Sequence, residues 1–184
     1  ETKEIGEDFY ENRNKGENNS PLIQIIQKDS LEEFKSILEK DNLTIDTIIS
    51  ERSTFETNPH LLKNSASLVE YAAFYGAGKV FNFLIKQGVK MENFSTYCAV
   101  HGNNKDILKA IERRAFKDNS SKHSELLDYS IRCHLNDLTA FIMKFWVKAK
   151  VAPSQCCFRA FNFELFPNDL LNQENYVMAV KYDY

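Results

Sequence analysis

The chain has 184 residues, 43% of them hydrophobic, and a formal net charge of −3. This length and apolar content are enough for one globular unit with a sizeable core, and they exclude a disordered protein. Gly and Pro number only 6 and 4, which argues against an all-β fold built on many tight turns.

The charge pattern, the apolar runs and the cysteines indicate the class of partner and the cellular compartment. No long run of Lys or Arg occurs, so no general bias toward nucleic acid is expected. No run of ~18 apolar residues occurs either, so no membrane span is expected. The first residues are polar and acidic rather than signal-like. The four Cys residues lack disulfide-type spacing, and together these features predict a reducing, cytoplasmic compartment.

The N-terminal part of the chain predicts a lead followed by a helical pair. Residues 1–19 are expected to be flexible, with at most a short helical turn near Phe9. The first pair, at about 20–50, begins at Ser20-Pro21, because a Ser N-cap followed by Pro at the first helical position is a strong start signal. Asp29 marks the turn between its two helices.

A long connection is predicted over residues 39–66. Its apolar residues, such as Ile48 and Ile49, are expected to add a helical turn or to cover an edge of the core. Residues 51–66 form the longest predicted loop. Two interpretations stay open for it: a mobile surface loop, or a functional insertion.

The clearest helical pair lies within 66–94. Its first helix has an apolar face that includes the small residues Ala72 and Ala73, which allow a neighbouring helix to approach closely. Gly76 breaks the chain, a second stripe of apolar residues follows at helical spacing, and Gly88 ends it.

Later stretches align with this pair. The predicted units are 95–118, 124–151, 152–174 and an incomplete unit at 175–184. In the first of these, Gly102 is matched to Gly76 and Cys98-Ala99 to Ala72-Ala73, which requires one extra residue at Asn103-Asn104. His134 takes the same turn position in the next unit.

The stretches SLVEYAAFYGAGKVFNFLIKQGV, STYCAVHGNNKDILKAIE and LLDYSIRCHLNDLTAFIMKF resemble a divergent ankyrin-like domain that is abundant in trichomonad protists, where it precedes regular ankyrin arrays. The resemblance covers roughly residues 20–184. It implies an all-α, ankyrin-like α-solenoid of stacked helix-turn-helix units, a protein partner, no catalytic residues and no cofactor. It also implies that regular ankyrin repeats follow Tyr184.

In ankyrin-like stacks, exposed positions on the first helices line the binding groove. The residues that the resemblance places there are Gln27, Lys28, Glu70, Phe74, Tyr75, Val100, His101, Asp128, Arg132, Cys133, Lys181 and Tyr182. Phe74 and Tyr75 are large aromatics of the kind that anchor interfaces. The alternative is that both pack on the 51–66 loop.

Motifs for chemistry are weak. The run from Gly76 to Lys79 fails as a phosphate loop, because Val80 stands where Ser or Thr should bind the metal ion. A zinc site is conceivable from Cys98, His101, Cys133 and His134. We expect turn and core roles for these residues instead, and therefore no metal and no enzyme activity.

Trp146 has two interpretations. It lies among three Lys residues, so it either closes the core beneath a solvated lysine face or forms a basic aromatic patch that binds an acidic partner or RNA.

Three functions are compatible with these features. The first is an adaptor that binds protein through the first helices. The second is a permanent structural subunit of a cytoskeletal or ribonucleoprotein assembly, and the third is a metal protein or enzyme. If residues 176–184 are an interrupted unit, Val177 and Val180 are left uncovered, and the end is expected to fray after about Asn172 or to self-associate.

Overall fold

The computed structural model shows a predominantly α-helical protein, as the sequence predicts. It describes residues 7–49, 53–63, 65–91, 94–117, 119–149, 153–166, 177, 180 and 181. The chain divides into two compact units, Glu1–Glu92 and Asn93–Tyr184. None of the helices within the described ranges has the length and apolarity needed to cross a membrane.

The first unit contains two helical pairs and a two-stranded antiparallel ladder, β1–β2. Its elements are α1 (Glu7–Lys15), α2 (Pro21–Gln27), α3 (Leu31–Lys40), β1 (Ile48–Ile49), α4 (Pro59–Lys63), β2 (Ala66–Ser67), α5 (Leu68–Phe74) and α6 (Gly78–Lys86). The pairs are α2–α3 and α5–α6, and they lie side by side, with α2 against α5 and α3 against α6.

Local sequence signals start these helices. The Ser20 hydroxyl accepts a hydrogen bond from the Ile23 N–H at 3.4 Å, with Pro21 at the first helical position. Ser67 and Glu70 form a capping box at the start of α5. Asp29 joins the two pairs, because its carboxylate accepts the Lys79 N–H at the start of α6 at 2.9 Å. The turn of one pair therefore caps the second helix of the next.

The second unit contains two further helical pairs and, in its described residues, a shorter third pair in which α11 is followed by a 3₁₀ turn. Its elements are α7 (Thr96–His101), α8 (Lys105–Ile111), the π turn Glu112–Phe116, α9 (Ser120–Arg132), α10 (Asn136–Ile142), the π turn Met143–Val147, α11 (Ser154–Ala160) and the 3₁₀ turn Phe163–Leu165. α9 packs between α7 and α11. Fully buried Leu108, Leu126, Ile131 and Leu138 are among the core residues of this unit.

Each pair turns at a residue with left-handed backbone angles. These left-handed residues are Asp29, Gly76, Asn103, His134 and Phe161, with φ between 47° and 67°. In all five turns the N–H of that residue donates to the carbonyl three residues earlier, as in Gly76 N to Ala73 O at 3.0 Å. The left-handed residue therefore gives a common register for the five pairs.

The prediction that Gly102 occupies this turn is wrong. Gly102 has φ −69°, and the left-handed residue is Asn103 at φ 47°. Asn tolerates this conformation better than most residues, so the turn does not need Gly. No extra residue is required, and Ala99-Val100, rather than Cys98-Ala99, corresponds to Ala72-Ala73.

The N-terminal lead and the long connection are ordered against each other in the described residues. Residues 1–19 were expected to be flexible, yet they include α1, whose Phe9 ring meets Phe55 edge to face at 5.5 Å. The Gly16 carbonyl accepts from both the Thr57 N–H and the Thr57 hydroxyl, at 2.9 and 2.8 Å. The part of the loop at 53–58 is thus bound to the lead rather than free.

The C-terminal prediction falls mostly outside the described residues. Val177 and Val180 are 58% and 60% exposed, and Lys181 is also exposed. Tyr182 and most of the incomplete unit at 175–184 lie outside the described residues.

Candidate functional site

The second unit presents a row of large polar side chains on its first helices, which we call the open face. It consists of Tyr97 and His101 of α7, Asp128, Tyr129 and Arg132 of α9, and Arg159 of α11. Buried neighbours such as Ala99 and Ile131 hold the opposite sides of these helices in the core. The helical period therefore turns the row outward.

The aromatic side chains of the open face form a connected set. The Tyr97 ring lies 5.7 Å from the His101 ring and 5.4 Å from the Tyr129 ring, which it meets edge to face. The Arg132 guanidinium lies over the Tyr129 ring at 5.5 Å. Such contacts restrict the rotamers of side chains that would otherwise move freely at a surface.

Asp128 links the two arginines. Its carboxylate accepts from Arg159 Nη2 at 2.6 Å and lies 3.7 Å from Arg132 Nη1. The side chains of Arg132 and Arg159 are 55% and 52% exposed. The face thus carries two guanidinium groups against one carboxylate, in a chain whose net charge is negative.

A polar clamp fixes α11 to the preceding pair and so positions Arg159. Buried Asn162 donates through its amide to the Ile131 carbonyl and to Asn136 Oδ1, both at 2.9 Å. The His134 ring hydrogen-bonds the Ala160 carbonyl at 3.0 Å. These bonds satisfy backbone groups at two helix ends, which makes the relative position of α9 and α11 specific.

The corrected register explains the composition of the row. The position two residues before each left-handed residue holds Gln27, Phe74, His101, Arg132 and Arg159. In the second unit this position holds a His or Arg side chain in all three pairs. Sequence reasoning did not include Tyr97, Tyr129 and Arg159, and the missed signal for Arg159 was the match of α11 to the earlier first helices.

Two residues predicted to be exposed are buried. Val100 is fully buried, because in the corrected register it matches Ala73, a core position. Phe74 is 4% exposed, and its ring packs edge to face on Tyr75 at 5.0 Å. The prediction that both lie on an exposed face is therefore wrong.

In the first unit the equivalent face is covered. The Gln27 amide donates to Glu17 Oε2 at 3.2 Å, just after α1. Burial raises the pKa of the Tyr75 phenol, and the nearby carboxylates of Glu56 and Glu17 raise it further. Glu56 is itself buried and accepts the Asn58 N–H at 2.7 Å. Glu17 of the lead and Glu56 of the 53–58 loop thus lie close to Tyr75, which is partly buried.

The remaining predicted residues differ in exposure. Lys28, His101, Arg132 and Lys181 are exposed, whereas Gln27, Glu70, Asp128 and Cys133 are partly buried. The residues of the open face come together, whereas Lys28 and Glu70 belong to the first unit and lie outside that face.

All four cysteines lie within the described residues, and none of them is in a disulfide. Burial raises the pKa of Cys133 and Cys156, and raises that of Cys157 to about 11. Cys98 is 1% exposed. Within the described ranges, no three His, Cys, Asp or Glu side chains are grouped so that they could hold a metal ion.

Trp146 lies in an aromatic cluster at the end of the second helix of its pair. Its ring stacks on His123 at 5.8 Å and meets Phe141 edge to face at 5.2 Å. His123 Nε2 lies 3.4 Å from Glu112 Oε1. Trp146 is half-buried, which agrees with a packing role for most of its ring.

No protein-family model, curated protein or solved structure matches the chain. The ankyrin-like resemblance therefore stays a prediction, and the open face is the feature that bears on function.

Proposed function

We propose that the chain is a non-catalytic, ankyrin-like interaction scaffold that binds a protein partner through the open face. The observation that carries this is the face itself: two tyrosines, two arginines and a histidine on three successive first helices of one compact unit. Tyr and Arg are enriched among the residues that dominate binding energy at protein interfaces. Their mutual contacts hold them in place, which lowers the entropy lost on binding.

The helical pairs support the ankyrin-like part of the proposal. Five pairs share one left-handed turn register, and within each unit neighbouring first helices pack side by side. Repeat proteins bury their core in this way, by stacking one pair on the next.

The thiols support the non-catalytic part of the proposal, and they also favour a cytoplasmic location, which we propose with it. A thiol with a raised pKa is mostly protonated at neutral pH and is a poor nucleophile. The lack of disulfides among the four described cysteines also fits a reducing compartment.

The test is affinity capture from the native cell, followed by quantitative mass spectrometry, with three baits. These are the parent chain, the Tyr97→Ala variant, and Phe145→Ala as a matched control. Phe145 is an exposed aromatic of the π turn that follows α10, 53% accessible, and lies outside the open face. We expect a specific set of proteins that the parent chain and Phe145→Ala retain and that Tyr97→Ala loses. Equal capture by all three baits, with circular dichroism unchanged, would contradict the proposal.

A second function is favoured by exposed aromatics that follow α11. Phe161 and Phe163 are 58% and 40% exposed, and Phe163 belongs to a cluster with Phe158 and Phe166. Permanent interfaces are more apolar than transient ones, so these rings fit a constitutive structural subunit. Gel filtration of native lysate distinguishes the two: a subunit elutes only in a large complex that survives high salt, whereas an adaptor is also found as the free chain.

A further inference from the structure

We infer that the open face is a carboxylate-binding site, and that its partner is an acidic segment of a protein, held by Arg132. This rests on the proposed function and specifies the chemistry of the partner. The position two residues before the left-handed residue forms a basic row in the second unit, from His101 through Arg132 to Arg159.

Arg132 is the member of this row that is arranged to receive a ligand. Its guanidinium is held over the Tyr129 ring at 5.5 Å, and its side chain is 55% exposed. Its contact with Asp128, at 3.7 Å, is longer than a hydrogen bond. A guanidinium stacked by its face on an aromatic ring presents its N–H donors at its edge, where a carboxylate can bind with two parallel hydrogen bonds.

Asp128 shows that a carboxylate fits between these guanidinium groups. Arg159 Nη2 donates a short hydrogen bond of 2.6 Å to Asp128, so the positive charge of Arg159 is largely compensated. The net charge that remains at the face matches a single carboxylate. A doubly charged phosphate would meet the same Asp128 at close range and is disfavoured by like-charge repulsion.

The two tyrosines of the open face indicate which other side chains the partner segment carries. Tyr97 and Tyr129 meet at 5.4 Å and flank the basic row, so apolar side chains next to the acidic residue have an aromatic surface to cover. The expected ligand is therefore a segment in which Glu or Asp alternates with apolar residues, rather than a uniformly charged polymer.

Fluorescence anisotropy with labelled synthetic ligands tests this inference. The probes are a peptide of alternating Glu and Leu, its Gln isostere, a phosphoserine version, and a single-stranded RNA of equal charge. We expect the Glu peptide to bind most tightly, and Arg132→Gln to weaken it by about tenfold or more, as expected for loss of charged hydrogen bonds. Asp128→Asn should tighten binding several-fold, since it removes a competing charge.

Arg114→Gln is the matched control, because it removes an equal charge from an exposed arginine of the π turn outside the open face. Its affinity for the Glu peptide should stay within about twofold of the parent value. Equal weakening by both variants would reduce the effect to general charge and overturn the inference. Tighter binding of the phosphopeptide or the RNA, lost in Arg132→Gln, would overturn it in favour of another ligand.

The inference and the proposed function fail differently. If Tyr97→Ala abolishes capture of native partners while Arg132→Gln leaves capture and peptide binding unchanged, the scaffold stands and the carboxylate site does not. If neither variant changes capture, both proposals fail.

Discussion

The two units use the same helical pair but treat its first-helix face in opposite ways. In the first unit, Phe74 is 4% exposed and Tyr75 lies near Glu17, just after α1, and Glu56 of the 53–58 loop. In the second unit, the position equivalent to Phe74 holds Arg132, whose side chain is 55% exposed. A repeat position therefore fixes the direction of a side chain within its pair, whereas the insertions decide whether solvent reaches it.

The largest expected effect comes from breaking the cover of the first unit at Gly16. Gly16 has φ +64°, and a Cβ built there would lie 2.8 Å from the Thr57 hydroxyl oxygen. Gly16→Ala should therefore lower the free energy of unfolding by about 2–3 kcal/mol, from backbone strain and loss of the Thr57 hydrogen bonds. Urea unfolding gives the value, and hydrogen exchange at the Thr57 amide should become faster.

Gly88→Ala is the control for that change. Gly88 has φ +85°, but a Cβ there meets nothing within 4 Å, so only backbone strain applies, at about 1 kcal/mol. Equal destabilisation by the two variants would show that the cover contributes nothing to stability.

Much of the helical framework could be predicted from the sequence, because its signals are local. Ser20-Pro21, the turn at Gly76 and the apolar stripes are each set by neighbouring residues. The turn at Asn103 was not predicted, because glycine is the residue type that most often adopts left-handed angles and Gly102 stands next to it. This one-residue error in the register led to the wrong prediction that Val100 is exposed.

The cover of the first unit could not be predicted in the same way. It depends on contacts between distant parts of the chain, such as Phe9 with Phe55 and Gly16 with Thr57, for which no short motif exists. The open face was predicted only in part for the same reason: the link from Asp128 to Arg159 joins two helices of different pairs.

The second prediction compares equivalent core positions of the two units. Three residues before the left-handed residue, the first unit has Ala73 at 1% exposure and the second has fully buried Ile131. Ala73→Leu inserts a larger side chain into a filled core and should cost about 1–3 kcal/mol. Ile131→Leu nearly conserves volume and should cost less than about 1.5 kcal/mol. An unchanged melting temperature for Ala73→Leu would count against the packing register.

The third prediction concerns a polar pair in the core of the second unit. Thr139 donates to the Ser130 hydroxyl at 2.9 Å, and Ser130 donates to the Leu127 carbonyl at 2.9 Å. The equivalent positions of the first unit hold Ala72 and Phe81. Thr139→Val should cost about 1 kcal/mol, and the Ser130→Ala/Thr139→Val double variant less than the sum of the singles. Strict additivity in denaturant unfolding would show that the two hydroxyls are not coupled.

The smallest expected effect is a pH dependence from Cys157, which fills the place that Ala72 takes in the first unit. Burial, followed by the charge of Cys156, raises the pKa of Cys157 to about 11, whereas a thiol in an unfolded chain has a pKa of about 8.5. Between these values the unfolded chain loses a proton that the folded chain keeps. The free energy of unfolding should therefore fall as pH rises above about 8.5. Lysines and other groups titrate in the same range, so the measurement is the difference between the parent chain and Cys157→Ala in urea unfolding from neutral to alkaline pH. The parent chain should lose more stability than the variant over that range, and the thiol should react slowly with iodoacetamide at neutral pH. Parallel pH profiles for the two proteins would mean that Cys157 ionises as easily in the folded state as in the unfolded one, and that its site is open to water, unlike the site of Ala72.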